Sequence, residues 1–285
     1  MSASQIWTTT RFDLDLAERP LVMGIVNVTP DSFSDGGQHN DAVRAINFCE
    51  RLLGEGVDIL DLGGESTRPG APKVTAEEEW KRLEPVVRAA LSLGIPVSVD
   101  TCKAEVMRRA LDLGVDIIND VQALRDAGAE ALVAAHGSVG LCLMHMRGDP
   151  ASMQQQTQYT DVVDEVRDFL QARLNRMLSL GVARQRITLD PGYGFAKTVE
   201  QNTELQRRQH ELLALGCPLL VGWSRKSTLG ALTGRAVDER LPASLSAALA
   251  SVARGARVVR VHDVAATVDA LKVWQAFGGP LNTGA

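Results

Sequence analysis

Short runs of apolar and β-branched residues recur along the whole chain, and this feature constrains the fold more than any other. Most runs are nearly continuous in hydrophobicity, as in parallel strands covered by helices on both faces. Nearly all of them are closed by a polar residue. The runs lie at residues 21–27, 57–61, 95–100, 115–119, 139–145, 186–190, 218–222 and 257–262. We therefore expect eight buried parallel strands.

Segments with the 3.6-residue period of amphipathic helices lie between these runs. Thr75 with Glu78, and Thr198 with Gln201, have the spacing of a capping box, which predicts two helix starts. Pro85 falls inside one helical pattern and is expected to kink or shorten that helix. Glycines expected to end helices in the left-handed conformation are Gly56, Gly94, Gly114, Gly137, Gly181, Gly216 and Gly255.

Alternating strands and helices without a linker or composition break predict one α/β domain. Eight β-α units in 285 residues favour a single-domain (β/α)8 TIM barrel, with an open doubly wound sheet as the alternative. We expect residues 1–20 to form an N-terminal hairpin or extension, residues 21–277 the barrel and residues 278–285 a C-terminal tail. In either fold the carboxyl ends of the strands share one edge, where ligands bind.

Charge and cysteine content exclude several classes of function. The chain has 30 Lys and Arg against 35 Asp and Glu, a net charge of −5, which argues against a nucleic-acid partner. No apolar stretch approaches the length of a membrane span, and no secretory leader is recognisable. The cysteines, none in C-x-x-C spacing, indicate neither a zinc site nor a disulfide framework: Cys49, Cys102, Cys142 and Cys217. We expect a cytoplasmic protein that does not bind membranes.

Three polar residues at strand ends predict the floor of a binding pocket. Asp100, Asn119 and Asp190 each close a predicted strand, so their side chains should face the same mouth. A buried carboxylate can accept two parallel N–H bonds from an aminopyrimidinone edge. This arrangement suits a guanine-like or pterin ring. The alternative is that these side chains satisfy polar groups of the core.

Two loops after the first two strands are candidates for substrate contact. Residues 27–37 form a long loop rich in side-chain oxygens, and long loops at a barrel mouth are usually lids or binding loops. Residues 63–70 are glycine-rich and include Arg68, so backbone N–H groups and a guanidinium could meet an anion. Both loops therefore belong to the predicted mouth.

Cationic residues collect at this mouth although the chain is acidic overall. Arg260 and His262 end the eighth strand, in the region where barrels most often hold phosphate. We expect Arg68, Arg260 and His262 to hold an anionic substrate. The structural alternative is that Arg260 pairs with a neighbouring acid, either Asp263 or Asp61.

Lys226 follows the seventh strand and has two interpretations. It could contact the substrate as a cation, or it could form a Schiff base as in barrel aldolases. Lys226 lies in a loop beside Arg225, whereas Schiff-base lysines commonly lie on a strand. The first interpretation is therefore favoured.

Eight motifs, in chain order, together resemble the dihydropteroate synthase family. They lie at residues 27–37, 61–70, 98–101, 118–120, 143–146, 189–195, 224–227 and 260–263. The resemblance implies a transferase of folate biosynthesis that joins 6-hydroxymethyl-7,8-dihydropterin pyrophosphate to p-aminobenzoate and releases pyrophosphate. It also implies a requirement for Mg²⁺ and a homodimer formed through barrel helices.

The same resemblance assigns roles to individual residues. The pterin would contact Asp100, Asn119, Met144, Asp190, Phe195, Gly222 and Lys226. The pyrophosphate would contact Asn27, Thr67, Arg68, Arg260 and His262, with Asn27 also facing the magnesium ion. The p-aminobenzoate site would be formed by Phe33, Thr67, Pro69, Lys226 and Ser227. The catalytic groups would be Asp100, Asp190, Lys226 and Arg260.

The resemblance further implies that the carbon–oxygen bond to pyrophosphate breaks largely before the amine attacks, in an SN1-like substitution. Two alternatives stay open: a methyltransferase with the same pterin-binding barrel, and a non-catalytic pterin-binding protein. Trp223 and Thr228 depart from the residues common in the family, which could alter the p-aminobenzoate site.

Overall fold

A closed barrel of eight parallel strands forms the body of the protein. The computed structural model describes residues 6–29, 37–66, 73–149 and 152–279. A two-stranded antiparallel hairpin comes first, followed by the barrel strands in the order β10-β3-β4-β5-β6-β7-β8-β9. The strands are β1 (Ile6–Thr8), β2 (Asp13–Asp15), β3 (Leu21–Asn27), β4 (Ile59–Gly63), β5 (Val97–Asp100), β6 (Ile117–Asp120), β7 (Gly140–Met144), β8 (Ile187–Asp190), β9 (Leu219–Val221) and β10 (Ala256–Val261). The predicted (β/α)8 barrel is confirmed, and the open sheet is excluded.

Helices connect successive barrel strands and cover the outside of the barrel. They are α1 (Gly37–Gly54), α2 (Ala76–Ala90), α3 (Ala104–Leu113), α4 (Ala129–His136), α5 (Val162–Ser179), α6 (Val199–Arg207), α7 (Ser227–Thr233), α8 (Leu241–Val252) and α9 (Val264–Ala276). Their apolar faces pack on the nearly continuous apolar strands in one large core. In the part of the chain described, no helix combines the length and the apolar character needed to cross a membrane.

Local signals in the sequence explain where these helices begin and end. Thr75 and Glu78 form a capping box at the start of α2, and Thr198 and Gln201 form one at the start of α6. The seven predicted glycines all have positive φ angles. Pro85, however, does not shorten α2, which continues to Ala90. Because proline has no N–H, the carbonyl of Lys81, four residues earlier, lacks its helical hydrogen bond. Lys81 is exposed, so water can donate to that carbonyl instead.

Strand register brings the predicted floor residues side by side. Asp100 on β5 is level with Gly63 on β4 and with Asn119 on β6. On the other side of the barrel, Met144 on β7 is level with Asp190 on β8. Because all eight strands run in parallel, these residues line one mouth of the barrel.

The β1–β2 hairpin covers the opposite end of the barrel. Trp7 is fully buried there, and its indole N–H donates to the carbonyl of Arg186, just before β8, at 3.1 Å. The hydroxyl of Thr10 donates to the carbonyl of Val115, before β6, at 2.8 Å. The hairpin therefore seals the amino ends of the strands, far from the polar mouth.

Replacing Trp7 with alanine is expected to destabilise the protein without altering the site. A fully buried tryptophan lost to alanine typically costs about 3–5 kcal/mol of unfolding free energy. Urea unfolding of Trp7→Ala would measure this, with Val43→Ala as the control because Val43, on α1, is 44% exposed. A loss below about 1 kcal/mol, the range typical of surface changes, would contradict an integral role for the hairpin.

Candidate active site

A continuous network of charged and polar side chains crosses the carboxyl ends of β4, β5, β6 and β10. Arg260 Nε donates to Asp61 Oδ2 and Arg260 Nη2 donates to Asp100 Oδ2, each at 2.6 Å. Asp61 also accepts from Ser98 Oγ at 2.6 Å and from Asn119 Nδ2 at 3.2 Å. The network therefore gathers Asp100, Asn119 and Arg260 around Asp61.

From the sequence, Arg260 was expected either to hold an anionic substrate or to pair with a neighbouring acid, and its contacts are compatible with both. It binds Asp61, as the structural alternative proposed, and also binds Asp100, while Asp263 binds Arg225 instead. These two bonds use two of the five N–H donors of a guanidinium, so the side chain has further capacity to bind an anion.

Burial sets the protonation of this network. It raises the pKa of Asp100 to about 7, because desolvation of the carboxylate outweighs the attraction of Arg260, and the charges of Asp61 and Asp120 add to the rise. Burial also opposes the charge on Arg260, but Asp61 and Asp100 together more than offset it and raise the pKa of Arg260. The guanidinium thus stays charged while Asp100 titrates near neutrality.

The second half of the floor lies at the ends of β8 and β9. Asp190 Oδ1 accepts the backbone N–H of Gly192 at 2.7 Å. Lys226 Nζ lies 4.0 Å from the centroid of the Phe195 ring, a cation–π contact. Burial and then Arg260 lower the pKa of Lys226 to about 8, against the opposing effects of Asp190 and Asp100. A carboxylate, an ammonium group and an aromatic face therefore converge.

An apolar wall flanks this half of the floor. Its buried members are Val121, Met144, Met146, Met153, Phe195 and Ala196. Gly222 faces Arg260, since a Cβ at that position would lie 3.9 Å from Arg260 Cβ. The structure thus brings together all seven residues expected at a pterin, with apolar groups on one side and polar groups below.

His262 lies beside Arg260, in surroundings that disfavour a positive charge on its ring. Its Nδ1 is 3.0 Å from Ser224 Oγ, and its backbone N–H donates to the same oxygen at 3.2 Å. Burial, followed by the charges of Arg260 and Arg225, lowers the pKa of His262 to about 3. Desolvation and the nearby guanidinium groups both disfavour the imidazolium. A neutral imidazole can still donate one hydrogen bond to an anion.

The other predicted site residues are placed as follows. Asn27 is the last residue of β3 and is partly exposed, and Ser227 is the first residue of α7 and is exposed. Phe33, Thr67, Arg68 and Pro69 lie outside the described residues.

Trp223 and Thr228, which depart from the family pattern, are both buried. Trp223 stacks on Tyr193 with ring centroids 4.3 Å apart, and its indole N–H donates to Gln206 on α6 at 2.7 Å. Trp223 therefore packs between the barrel and α6.

Sequence reasoning missed two groups of residues that support the site. Asp61 was considered only as a strand end and a pairing partner, yet it organises the network. Lys103, which follows β5, donates to both Glu65 and Glu79. Glu65 also accepts the backbone N–H of Val74 at 3.1 Å, which joins the two ends of the loop between β4 and α2. The strand-end position of Asp61 was the signal that could have identified it.

This arrangement suits a flat heterocycle with an N–H-rich edge that carries an anionic group. A sequence profile of the pterin binding enzymes matches residues 23–262. A dihydropteroate synthase of Neisseria meningitidis serogroup B is 54% identical over 282 residues, 97% of this chain and 99% of its own length. The chain belongs to the dihydropteroate synthase family of pterin-binding enzymes.

Solved structures of this family have the same fold. A dihydropteroate synthase of Xanthomonas albilineans with 4-aminobenzoic acid superposes with a TM-score of 0.91 at 47% identity, covering 98% of this chain and 100% of that one. A structure of the Xanthomonas albilineans enzyme in complex with 7,8-dihydropteroate has a TM-score of 0.85 at 46% identity, covering 94% and 97%. The likeness extends over nearly the whole length of each chain.

The raised pKa of Asp100 predicts how stability depends on pH. An unfolded aspartate ionises near pH of about 4, so between about 4 and the folded value the native state holds one more proton. The stabilisation from this group is full at low pH and is lost as pH rises through about 7. Urea unfolding is measured for the wild type and Asp100→Asn from about pH 5 to about pH 8. The free energy of unfolding should fall more steeply with rising pH in the wild type than in the variant. Parallel curves would contradict the shift.

Proposed function

We propose that this chain catalyses the condensation of 6-hydroxymethyl-7,8-dihydropterin pyrophosphate with p-aminobenzoate to 7,8-dihydropteroate and pyrophosphate. The observation that carries the proposal is the Asp61–Arg260–Asp100 network beside Asp190 and Lys226, in a chain of the dihydropteroate synthase family. The complexes of Xanthomonas albilineans enzymes with 4-aminobenzoic acid and 7,8-dihydropteroate support it.

The pterin ring would lie over the floor and against the apolar wall. Asp190, Asp100 and Asn119 would bind its N–H and carbonyl edge, because carboxylates accept paired N–H donors with good geometry. Met144 and Phe195 would cover one face of the pterin ring. Lys226 Nζ lies over the Phe195 ring and would donate a hydrogen bond to the edge of the pterin.

The pyrophosphate would lie above Arg260 and His262, with Thr67 and Arg68 contributing from the loop after β4. Asn27 would offer its amide oxygen to magnesium. Among the described residues no group of three or more His, Cys, Asp or Glu suits a metal ion, which fits Mg²⁺ because it is usually held by few protein ligands together with substrate phosphates and water. When bound, the ion would neutralise charge on the leaving pyrophosphate.

The p-aminobenzoate would enter beside Lys226 and Ser227, with Phe33, Thr67 and Pro69 completing its site. Ser227 begins α7 next to Lys226, so its hydroxyl and the first N–H groups of that helix are available to a carboxylate.

The reaction would proceed by early departure of pyrophosphate. An aniline nitrogen is a modest nucleophile, and the electron-rich dihydropterin can delocalise a positive charge. The carboxylates of Asp100 and Asp190 would stabilise that charge, while Arg260 and neutral His262 would hold the departing anion. Such fixed charges need no reorganisation at the moment of reaction.

Release of pyrophosphate by the purified protein tests this function directly. With dihydropterin pyrophosphate and magnesium, release accompanied by 7,8-dihydropteroate is expected only when p-aminobenzoate is added. Saturable pterin binding without any release would instead indicate a pterin-binding methyltransferase or a non-catalytic binding protein.

Replacement of Arg260 by methionine is expected to remove most turnover, since the loss of one preorganised charge contact costs about 10²- to 10³-fold in kcat. The change also leaves the buried Asp61 without its cation, so the folded fraction must be measured by circular dichroism. Arg207→Met is a suitable control because the Arg207 side chain is 70% exposed on α6. Turnover in Arg260→Met close to that of the control would refute the assignment.

A homodimer through α7, α8 and α9 is also proposed. The sequence of α8 is almost entirely Ala, Leu, Ser and Val, yet only four of its residues are buried: Ser244, Ala248, Ser251 and Val252. Leu232, Val237 and Phe277 in the same region are 61%, 54% and 85% exposed. Exposed apolar side chains of this kind suit an interface, and a second copy of this chain is the occupant that the family resemblance suggests.

Sedimentation velocity is expected to give a dimer for the wild type. Leu232→Lys with Val237→Lys should shift it toward the monomer, because charges in an apolar interface lose their hydration. Arg207→Met again serves as the control. A wild-type monomer at micromolar concentration would contradict the proposal.

The cellular location and the domain boundaries of the enzyme are also proposed. Four free thiols favour a reducing compartment, and we place the enzyme in the cytoplasm on that ground. Residues 21–277 would form the catalytic barrel, with residues 1–20 as its N-terminal hairpin and 278–285 as a tail.

A further inference from the structure

A buried lysine outside the predicted site lies directly behind the pterin floor. Lys197 ends the loop between β8 and α6 and is only 4% exposed. Its Nζ lies 2.8 Å from the carbonyl oxygen of Gly192, 3.0 Å from that of Phe195 and 3.0 Å from His145 Nδ1. A lysine is almost never fully buried unless its amine is paired, and here three partners surround it.

The carbonyls that Lys197 binds belong to the loop after β8, which orients Asp190 of the floor and carries Phe195 of the apolar wall. The N–H of Gly192 orients Asp190, and the ring of Phe195 meets Lys226. Gly192 has a φ of +68°, and a Cβ there would lie 2.0 Å from the carbonyl oxygen of His145. The loop therefore packs tightly against the residue that follows β7, and Lys197 links Gly192 and Phe195 of the loop to that same residue, His145.

The hydrogen bonds of Lys197 can be satisfied with or without its charge. Burial lowers the pKa of Lys197 to about 7, with Asp190 opposing the shift and Lys226 and Arg147 adding to it. Burial also lowers the pKa of His145 well below its ordinary value, so its ring is neutral.

The tautomer of His145 accommodates both forms of Lys197. An ammonium group donates to all three partners, and His145 Nδ1 then accepts. A neutral amine donates to the two carbonyls and accepts the Nδ1–H of the other imidazole tautomer. The hydrogen bond between Lys197 and His145 is therefore kept when Lys197 loses a proton.

We propose that Lys197 is a positioning residue for the pterin substrate: through Gly192, Phe195 and His145 it holds Asp190 and the Phe195 ring in their binding geometry. This inference rests on the pterin site proposed above. Lys197 is distinct from a catalytic residue because its amine lies behind the loop and bonds to the backbone and to His145.

Steady-state kinetics of Lys197→Met test the proposal. Methionine keeps an unbranched apolar side chain but removes the three hydrogen bonds and leaves two buried carbonyls unpaired. The KM for dihydropterin pyrophosphate is expected to rise about 10- to 100-fold. The KM for p-aminobenzoate, measured at saturating pterin, should stay within about threefold, a small change in binding energy. Lys81→Met, on the exposed side of α2, is the control for loss of a lysine charge.

A purely structural role predicts a different result. Partial unfolding lowers the active fraction and hence kcat, but leaves the KM for either substrate unchanged. An unchanged pterin KM, or an equal rise of both KM values, would overturn the proposal. The wild type is measured in parallel to distinguish failure of the proposed function from failure of the proposed role of Lys197. Absence of turnover in the wild type would contradict the function, not the role of Lys197.

If Lys197→Met fails to fold, a pair of His145 variants provides the test. His145→Asn retains a polar side chain near the amine, whereas His145→Leu removes the bond. The pterin KM of His145→Leu is expected to exceed that of His145→Asn by about threefold or more, the range of one hydrogen bond. Equal values in the two variants would overturn the proposal.

Discussion

The ion pair between Arg260 and Asp61 is the interaction on which the barrel mouth depends. It joins β10 to β4 across β3, and Asp61 has no exposed surface. A buried charge without a partner is strongly destabilising, so each of these groups requires the other. Asp61 in turn binds Ser98 and Asn119 from the next two strands. One arginine from the last strand thus orders polar side chains on three others.

Arg260 and Lys226 together explain why two more carboxylates can lie at this mouth. Asp100 and Asp190 lie in a site where desolvation raises the pKa of both groups. Arg260 and Lys226 offset part of that effect and so favour the ionised carboxylates, which are the better acceptors for a pterin edge. The cations that would hold the substrate's anionic group therefore also tune the groups that would hold its ring.

Much of this structure follows from local sequence, whereas the supporting contacts do not. The strands, capping boxes and glycine caps were predictable because each depends on a few neighbouring residues. The sequence left Asp61 and Asp263 as alternative partners of Arg260, because the Asp61–Arg260 bond joins residues 199 positions apart and exists only once the barrel has closed. The further bonds of Asp61 to Ser98 and Asn119 were not predicted. The surroundings of His262 were not predictable for the same reason, since neither its burial nor the approach of Arg260 is encoded in its immediate neighbours.

Lys103 and Lys197 show that the nature of its partners decides the charge of a buried lysine. Both lose hydration, which lowers the pKa of each amine. Lys103 binds two carboxylates, Glu65 and Glu79, and their attraction more than offsets burial, so its pKa is raised. Lys197 has only neutral hydrogen-bond partners, and its pKa falls to about 7. Lys103 can therefore neutralise acids at the base of a loop, whereas Lys197 holds backbone carbonyls behind the floor without placing a permanent charge beneath the ring.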